Sequence, residues 1–112
     1  MRGSETMIDR DRLAELHEEI GEEDFLEVAT LFIEETDAAV AALAEIPPEG
    51  LAAHLHALKG SALNLGFTTF ARICAHAEEA AAGGSGAAVD RAAITESYAA
   101  SKAEFLAMLA GG

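Results

Sequence analysis

The apolar residues of this chain recur at helical spacing, and the breaks between them divide it into five segments. The clearest stripe steps by 4, 3, 4 and 3 residues through Leu51, Leu55, Leu58, Ala62 and Leu65. Such spacing is typical of one buried helix face. This helix is predicted to cover about residues 49–65, between the "PPEG" at 47–50 and Gly66.

Four further helices are predicted from the same periodicity. The first is short, covers about residues 9–20 and ends at Gly21, and the second covers about residues 22–46. The fourth and fifth cover about residues 68–82 and 88–109, and the "GGSG" at 83–86 between them is expected to be a flexible joint. The predicted core residues of these helices are Phe25, Val28, Phe32, Ala39, Leu43 and Ile46, flanked by Leu26, Leu31 and Val40, then Phe70, Cys74, Ala77 and Ala81, and finally Ile94, Tyr98, Phe105 and Met108 or Leu109.

Four long amphipathic helices with short links predict an all-α fold. We expect an antiparallel up-down four-helix bundle with an additional short N-terminal helix across one end. The composition agrees, because alanine and leucine dominate, aromatic residues make up 5% and tryptophan is absent. The 112 residues suffice for one modest core, so a single domain is expected over residues 5–112. The opening "MRGS", residues 1–4, is typical of an expression-vector remnant.

Charge narrows the class of partner. Twenty acidic residues oppose seven basic ones, which gives a formal net charge of -13. Such a field repels phosphate backbones and anionic lipids, so neither nucleic acid nor a membrane surface is expected as a partner, and a protein is favoured. No apolar run approaches the ~20 residues that cross a bilayer, and no secretory signal is recognisable. Cys74 is the only cysteine, which excludes an intrachain disulfide and agrees with the cytoplasmic location that we expect.

The third predicted helix carries an unusual group of residues away from its apolar stripe. At about 100° per residue, His56 lies more than about 90° from the centre of the stripe, with Lys59 and Leu63 on the same side. Gly60 points most directly to solvent, although a glycine within a helix costs roughly 1 kcal/mol relative to alanine. The alanines at positions 52, 53 and 57 place only small side chains on this face. The pattern predicts a raised imidazole that a partner can approach closely.

The adjacent His54 is not expected to form a metal site with His56. On a helix the two rings point about 200° apart. The Glu-x-x-His pattern of metal-binding bundles is also missing, because the residues three positions before the four histidines are Ala14, Leu51, Ala53 and Ile73. We therefore expect no metal and no other bound cofactor, and His54 is interpreted as a bystander.

The run "HALKGSALNLGF", from His56 to Phe67, resembles the signature of the histidine-containing phosphotransfer (HPt) domain family, which reads His-x-x-Lys-Gly and closes on a later glycine. The resemblance covers nearly the whole chain, since that family has a short first helix before a four-helix bundle. It implies that His56 carries a phosphoryl group and exchanges it with an aspartate on the receiver domain of a response regulator. It further implies that Lys59 offsets phosphoryl charge and that Gly60 gives the receiver access.

The same resemblance suggests the residues around the histidine. Glu78 in the following helix is the expected acceptor for the second ring nitrogen of His56, and Glu79 is the fallback. Ile8 and Leu13 either extend the docking patch or belong to the core. Ser61 and Asn64 either serve the partner surface or simply fill helix positions. The expected partner-binding residues are Ala53, Ser61, Leu63 and Asn64.

The implied protein is a monomeric carrier rather than an enzyme. "LKGS" at 58–61 lacks the Gly-x-x-x-x-Gly-Lys-Ser/Thr fingerprint of a phosphate loop, so no ATP site is expected. The Mg²⁺ needed for transfer is expected on the receiver, and a hybrid histidine kinase is the expected upstream partner. One alternative is an unphosphorylated helical adaptor or inhibitor that uses the same face. A helical enzyme is the other, although no second group of acid, base and nucleophile is visible.

Overall fold

The computed structural model describes the backbone of residues 8–111 and the side chains of residues 8–109. Within this range the chain forms five α-helices and no β-strand, which confirms the all-α prediction. The vector-like residues 1–4 and the expected domain start at residue 5 lie outside the described residues. The helices are α1 (Arg10–Ile20), α2 (Glu22–Ala42), α3 (Leu51–Leu65), α4 (Thr68–Ala80) and α5 (Arg91–Gly111).

Local signals in the sequence start and stop these helices. The Asp9 side chain accepts a hydrogen bond from the Arg12 backbone N–H at 3.0 Å and so caps the start of α1. Gly66 ends α3 with a left-handed φ of 75°, and the following Phe67 N–H bonds back to Ala62 O at 2.8 Å. These bonds satisfy carbonyls that the end of α3 would otherwise leave unpaired.

The α3–α4 turn also holds α1 in place. The Asp9 N–H donates to Gly66 O at 2.6 Å. A Cβ atom on Gly66 would lie only 2.9 Å from Asp9 O, so a side chain at this position would push α1 away. Glycine therefore serves both the turn and the close approach of Asp9, the residue that caps α1.

Helices α2 to α5 pack as antiparallel neighbours. His54, near the start of α3, places Nε2 2.8 Å from Ala39 O near the end of α2. At the start of α4, Phe67 packs edge-on against Phe105 of α5, with ring centroids 5.6 Å apart. The α5 helix then returns to α2, where Arg91 at its start contacts the last turn of α2. These contacts close the four helices around one core.

Arg91 completes the end of α2. Its Nη1 donates to Leu43 O at 2.7 Å and to Ile46 O at 2.6 Å, across more than 40 residues of chain. Both carbonyls lie where α2 passes through the 3₁₀ turn Leu43–Glu45 and ends. A cation at a helix C-terminus is also favoured by the helix dipole, so Arg91 stabilises this corner in two ways.

The two connections at this end of the bundle pack against each other. Residues Ala81–Ser85 continue α4 as a widened helical turn, in which Gly84 has a φ of 95°, and Gly86–Ala88 form a 3₁₀ turn. Gly86 is buried, and a Cβ atom there would lie 2.8 Å from Pro48 O. Within the "GGSG" stretch only this last glycine is closely packed, whereas residues 83–85 are exposed.

The predicted core is confirmed along α3 and partly wrong along α2. All five residues of the α3 stripe are buried. On α2, Leu26 and Leu31 are exposed instead of flanking the core, whereas Ala29 and Ile33 are buried. Thr36 is buried as well, because its hydroxyl donates to Phe32 O at 2.7 Å and needs no water.

Ile8 and Leu13, which the sequence assigned either to the docking patch or to the core, both belong to the core. Ile8 is fully buried and Leu13 is nearly so. Neither side chain is exposed, so neither extends a docking patch around His56. Over the part of the chain that the structure describes, no helix combines the length and the apolar character needed to cross a membrane.

Candidate functional site

His56 stands on the solvent-facing side of α3, and its side chain is 69% exposed. Gly60 follows one turn later, and a Cβ atom built on it would meet nothing within 4 Å. The space beside the imidazole is therefore open. Neither packing nor a backbone φ explains the choice of glycine here, since Gly60 lies inside regular α3 and has no positive φ.

One ring nitrogen of His56 is held by the neighbouring helix. Nδ1 lies 3.0 Å from Oε2 of Glu78 on α4. An ionised carboxylate has no proton to donate, so the proton of this hydrogen bond belongs to Nδ1. A neutral imidazole in this tautomer carries its lone pair on Nε2, the nitrogen away from α4.

Lys59 occupies the other oxygen of the same carboxylate. Its Nζ lies 3.1 Å from Oε1 of Glu78, and both side chains are about two-thirds or more covered, with 30% and 24% exposed. The Lys59 ammonium, followed by the hydrogen bond from His56, holds the pKa of Glu78 below its ordinary value against the opposing effect of burial. Glu78 is therefore an anion at neutral pH.

The α3–α4 turn is what brings these residues together. His56 lies ten residues before Gly66, and Glu78 lies twelve residues after it. Because the two helices leave the tight turn antiparallel, positions at similar distances from the turn face each other. Glu79, the fallback, lies about 100° further around α4 and is exposed. The structure thus brings His56, Lys59 and Glu78 into one cluster.

Cys74 lies directly beneath this cluster, one turn before Glu78 on α4. It is fully buried, and burial raises the pKa of its thiol to about 12, with a further contribution from the Glu78 carboxylate. The thiol is protonated at neutral pH. It acts as a small apolar residue of the core.

The predicted partner-binding residues surround His56 unevenly. Leu63 is 52% exposed and lies on the same side of α3, two turns along. Ala53 and Asn64 are also exposed. Ser61 is half-buried and lies about 140° around the helix from His56. Of the four, Leu63 is the large apolar side chain that is exposed on the same side of α3 as the imidazole.

His54 has a structural contact that the sequence did not indicate. Its half-buried ring bonds α3 to the backbone of α2 through Ala39 O at 2.8 Å. The sequence predicted that His54 points away from His56. It did not predict the acceptor, because every residue has a backbone carbonyl and no side chain marks this one. Among residues 8–111, no three His, Cys, Asp or Glu side chains are grouped so that they could hold a metal ion.

Comparison with known proteins agrees with this geometry. No curated protein and no solved structure is similar enough to the chain to count as a match. The family model of the Hpt domain matches residues 9–110, which is nearly the whole chain and includes all five helices up to the last residues of α5. The chain therefore belongs to the Hpt domain family, the helical carriers of histidine phosphotransfer in two-component systems.

Proposed function

We propose that this protein carries a phosphoryl group on Nε2 of His56 and exchanges it with an aspartate on the receiver domain of a response regulator. The observation that carries the proposal is the hydrogen bond from Nδ1 to Glu78 on an imidazole that is 69% exposed. This bond selects the tautomer in which Nε2 is the nucleophile. The exposure leaves that nitrogen within reach of another protein.

The transfer step is a displacement at phosphorus. The Nε2 lone pair forms an N–P bond to the phosphoryl group of the receiver's aspartyl phosphate, the P–O bond to the aspartate breaks, and the electron pair leaves on that carboxylate. The ring gains positive charge while Nδ1 keeps its proton. Glu78, already hydrogen-bonded to Nδ1, stabilises that charge without moving. The reverse step returns the phosphoryl group to an aspartate.

The charges at the site indicate that the partner supplies part of the positive charge that the phosphoryl group needs. The Lys59 ammonium and the Glu78 carboxylate neutralise each other as a pair. A phosphoryl group adds a further charge of about -1.5 to -2, which Lys59 offsets only in part. A chain with a net charge of -13 has few other cationic side chains to neutralise it. We therefore expect the receiver to supply the remaining cations, including Mg²⁺, and this chain to bind no cofactor of its own.

Docking is proposed to use the surface around Gly60. With no side chain there, a receiver can bring its backbone close to the imidazole. Leu63 is the apolar contact beside it, and Ala53, Ser61 and Asn64 are assigned to the rim of the patch. The protein is expected to be a monomer that forms a transient complex, since the receiver must leave after transfer. The upstream partner is proposed to be a hybrid histidine kinase.

The direct test follows the phosphoryl label. The protein is incubated with a receiver domain carrying ³²P-phosphoaspartate and Mg²⁺, and base-stable, acid-labile label is measured on the chain. Label is expected on the wild type and none on His56→Gln. His76→Gln, an exposed histidine on α4, is the matched control and should keep full labelling.

Two outcomes would contradict the proposal. Undiminished labelling of His56→Gln would place the phosphoryl group elsewhere. Tight receiver binding with no label on the wild type would support the alternative of an unphosphorylated adaptor or inhibitor. Circular dichroism of each variant shows whether a loss of label reflects a loss of fold.

A further inference from the structure

A second surface lies away from His56, on the side of the bundle formed by α1, the start of α2 and the end of α5. It is an open groove of about 580 Å³. Leu13, Phe25 and Phe105 form its floor, and Leu26, Met108 and Leu109 line its sides. None of the residues of the His56 cluster lines it, since those residues belong to α3 and α4.

The rim of this groove exposes large apolar side chains. Leu26 is 55% exposed, and it is one of the two leucines of α2 that face solvent. On α5, Met108 and Leu109 line the groove, and Leu106, one turn before Leu109, is 46% exposed but does not itself line it. Large apolar side chains on both walls of a groove mark a surface that gains free energy when covered.

The charge around the groove selects the kind of partner. Nine of the twenty carboxylates lie between residues 9 and 27, which form α1 and the start of α2, and only two arginines accompany them. Glu22 and Arg10 both line the groove itself, so the excess of negative charge comes from the surrounding surface of α1 and the start of α2. The other wall, α5, contains two acidic and two basic residues and is close to neutral. An apolar floor beside a strongly acidic wall is complementary to a helix with one apolar and one basic face.

We infer that this groove is a second docking surface, and that it takes a cationic amphipathic helix from a protein partner. The apolar side of that helix covers Leu26 and Phe105, and its lysines or arginines face the acidic wall. A second copy of this chain fits less well, because both copies carry a net charge of -13 and repel each other. The inference does not depend on phosphotransfer at His56.

The test uses a fluorescein-labelled synthetic helix of leucine and lysine with one apolar face, and fluorescence anisotropy at 150 mM salt. Binding in the micromolar range is expected, together with amide shift changes in ¹⁵N NMR spectra that are confined to α1, the start of α2 and the end of α5. Two control peptides are used, one with every lysine replaced by glutamate and one with the same residues in a sequence that has no helical periodicity. Both should bind at least tenfold more weakly.

The chain offers a matched pair of variants for the same test. Leu26→Glu should weaken the peptide at least tenfold, because it removes an apolar contact from the groove and adds a charge to it. Leu31→Glu makes the same change on the same helix at an equally exposed position, 56% against 55%, that does not line the groove. It should leave the affinity within about twofold. His56→Gln should also bind as the wild type does.

Three results would overturn the inference. Equal weakening by Leu26→Glu and Leu31→Glu would reduce the binding to general attraction by an acidic surface. Concentration-dependent dimers in sedimentation velocity that Leu26→Glu dissociates would make a second copy the occupant. A tenfold gain in peptide affinity on removal of residues 1–7 would make the chain's own start the occupant.

Discussion

Two clusters in this molecule have the same arrangement of charged groups around rings of opposite exposure. In each, one carboxylate accepts from a ring group and from a lysine on the same face. Glu78 on α4 holds His56 and Lys59 of α3 at 3.0 and 3.1 Å. Asp37 on α2 holds Tyr98 and Lys102 of α5 at 2.7 and 3.0 Å. Both clusters join two neighbouring helices.

The ring is the part that differs. Tyr98 is only 5% exposed, and its hydroxyl is also 3.3 Å from Ile33 O. Burial, followed by the bond to Asp37, raises the pKa of Tyr98 well above its ordinary value, and the hydrogen bond from Tyr98 lowers the pKa of Asp37. The Tyr98 ring is therefore buried and its hydroxyl has partners on α2 alone. The His56 ring is mostly exposed to solvent, so its second nitrogen is free to react.

The comparison suggests that a carboxylate–lysine pair is a general way to hold a ring in one orientation. Whether the result is a structural tie or a reactive group depends on which part is covered. The four predictions that follow test that distinction, in order of decreasing effect.

The largest effect is expected from closing the approach to the exposed ring. Gly60→Gln should slow phosphotransfer by about 100-fold, because a side chain beside His56 keeps the receiver from its attacking distance. The fold should remain intact, with a gain in unfolding free energy of roughly 0.5 kcal/mol from helix propensity. Stopped-flow transfer kinetics and urea unfolding measure the two effects. Gly60→Ala, whose Cβ meets nothing within 4 Å, is the control and should slow transfer much less. A native transfer rate in Gly60→Gln would refute this account of the glycine.

The next effect is expected at the buried ring. Asp37→Asn removes the charged acceptor of the buried Tyr98 hydroxyl, so the free energy of unfolding should fall by about 1.5 kcal/mol, to which the partly exposed pair with Lys102 adds little. Phosphotransfer from a receiver should stay at the wild-type rate. Urea unfolding and transfer kinetics on the same preparation provide the check. A variant with native stability would show that this cluster contributes nothing to holding α2 against α5.

The corresponding change in the exposed cluster should give the reverse pattern. Glu78→Gln should lower the rate of transfer by about tenfold, because the ring loses its orienting anion, and should leave the melting temperature nearly unchanged. The ¹⁵N chemical shifts of the His56 ring report the tautomer directly, and the Nδ1-protonated form should lose its dominance. Glu79→Gln is the matched control. If it has the larger effect, the assignment of Glu78 is wrong.

The smallest effect is the pH dependence of the stability that the Asp37 and Tyr98 cluster contributes. The pKa of Asp37 is lowered in the folded state, so its contribution to stability is present above its ordinary value of 3.8 and is lost as the pH falls through the folded pKa. The pKa of Tyr98 is raised from 10.0, so its contribution is complete below that value and is lost at higher pH. The stability difference between wild type and Asp37→Asn should be flat between about pH 5 and pH 9 and shrink below about pH 4. A difference that grows in acid would contradict the direction of these shifts.

The two clusters also differ in how far the sequence reveals them. His56, Lys59 and Gly60 stand on one helix at fixed spacing, and the resemblance to the HPt family pointed to Glu78 on the following helix, so the members of the cluster could be predicted. Its individual roles stay predictions until they are measured. Tyr98 and Asp37 are 61 residues apart and belong to helices that meet only in the finished bundle. No local pattern joins them.

The core shows the same limit. The α3 stripe is narrow, and its spacing selects one face unambiguously. The α2 helix carries apolar residues around most of its circumference, so periodicity alone did not separate Leu31, which faces solvent, from Ile33, which is buried. Thr36 was missed because its burial depends on a hydrogen bond within its own helix.

The Arg91 bonds to the end of α2 bear on how the molecule unfolds. A terminal helix is commonly the element that frays first. Here the release of α5 would leave the carbonyls of Leu43 and Ile46, just after α2, without their donor and would remove the bonds to Asp37 at the same moment. Opening of the last helix is thereby coupled to the second, which favours a single cooperative transition over stepwise loss. Backbone amides around residues 43–46 and those in the middle of α5 should then show one common free energy of opening in hydrogen exchange.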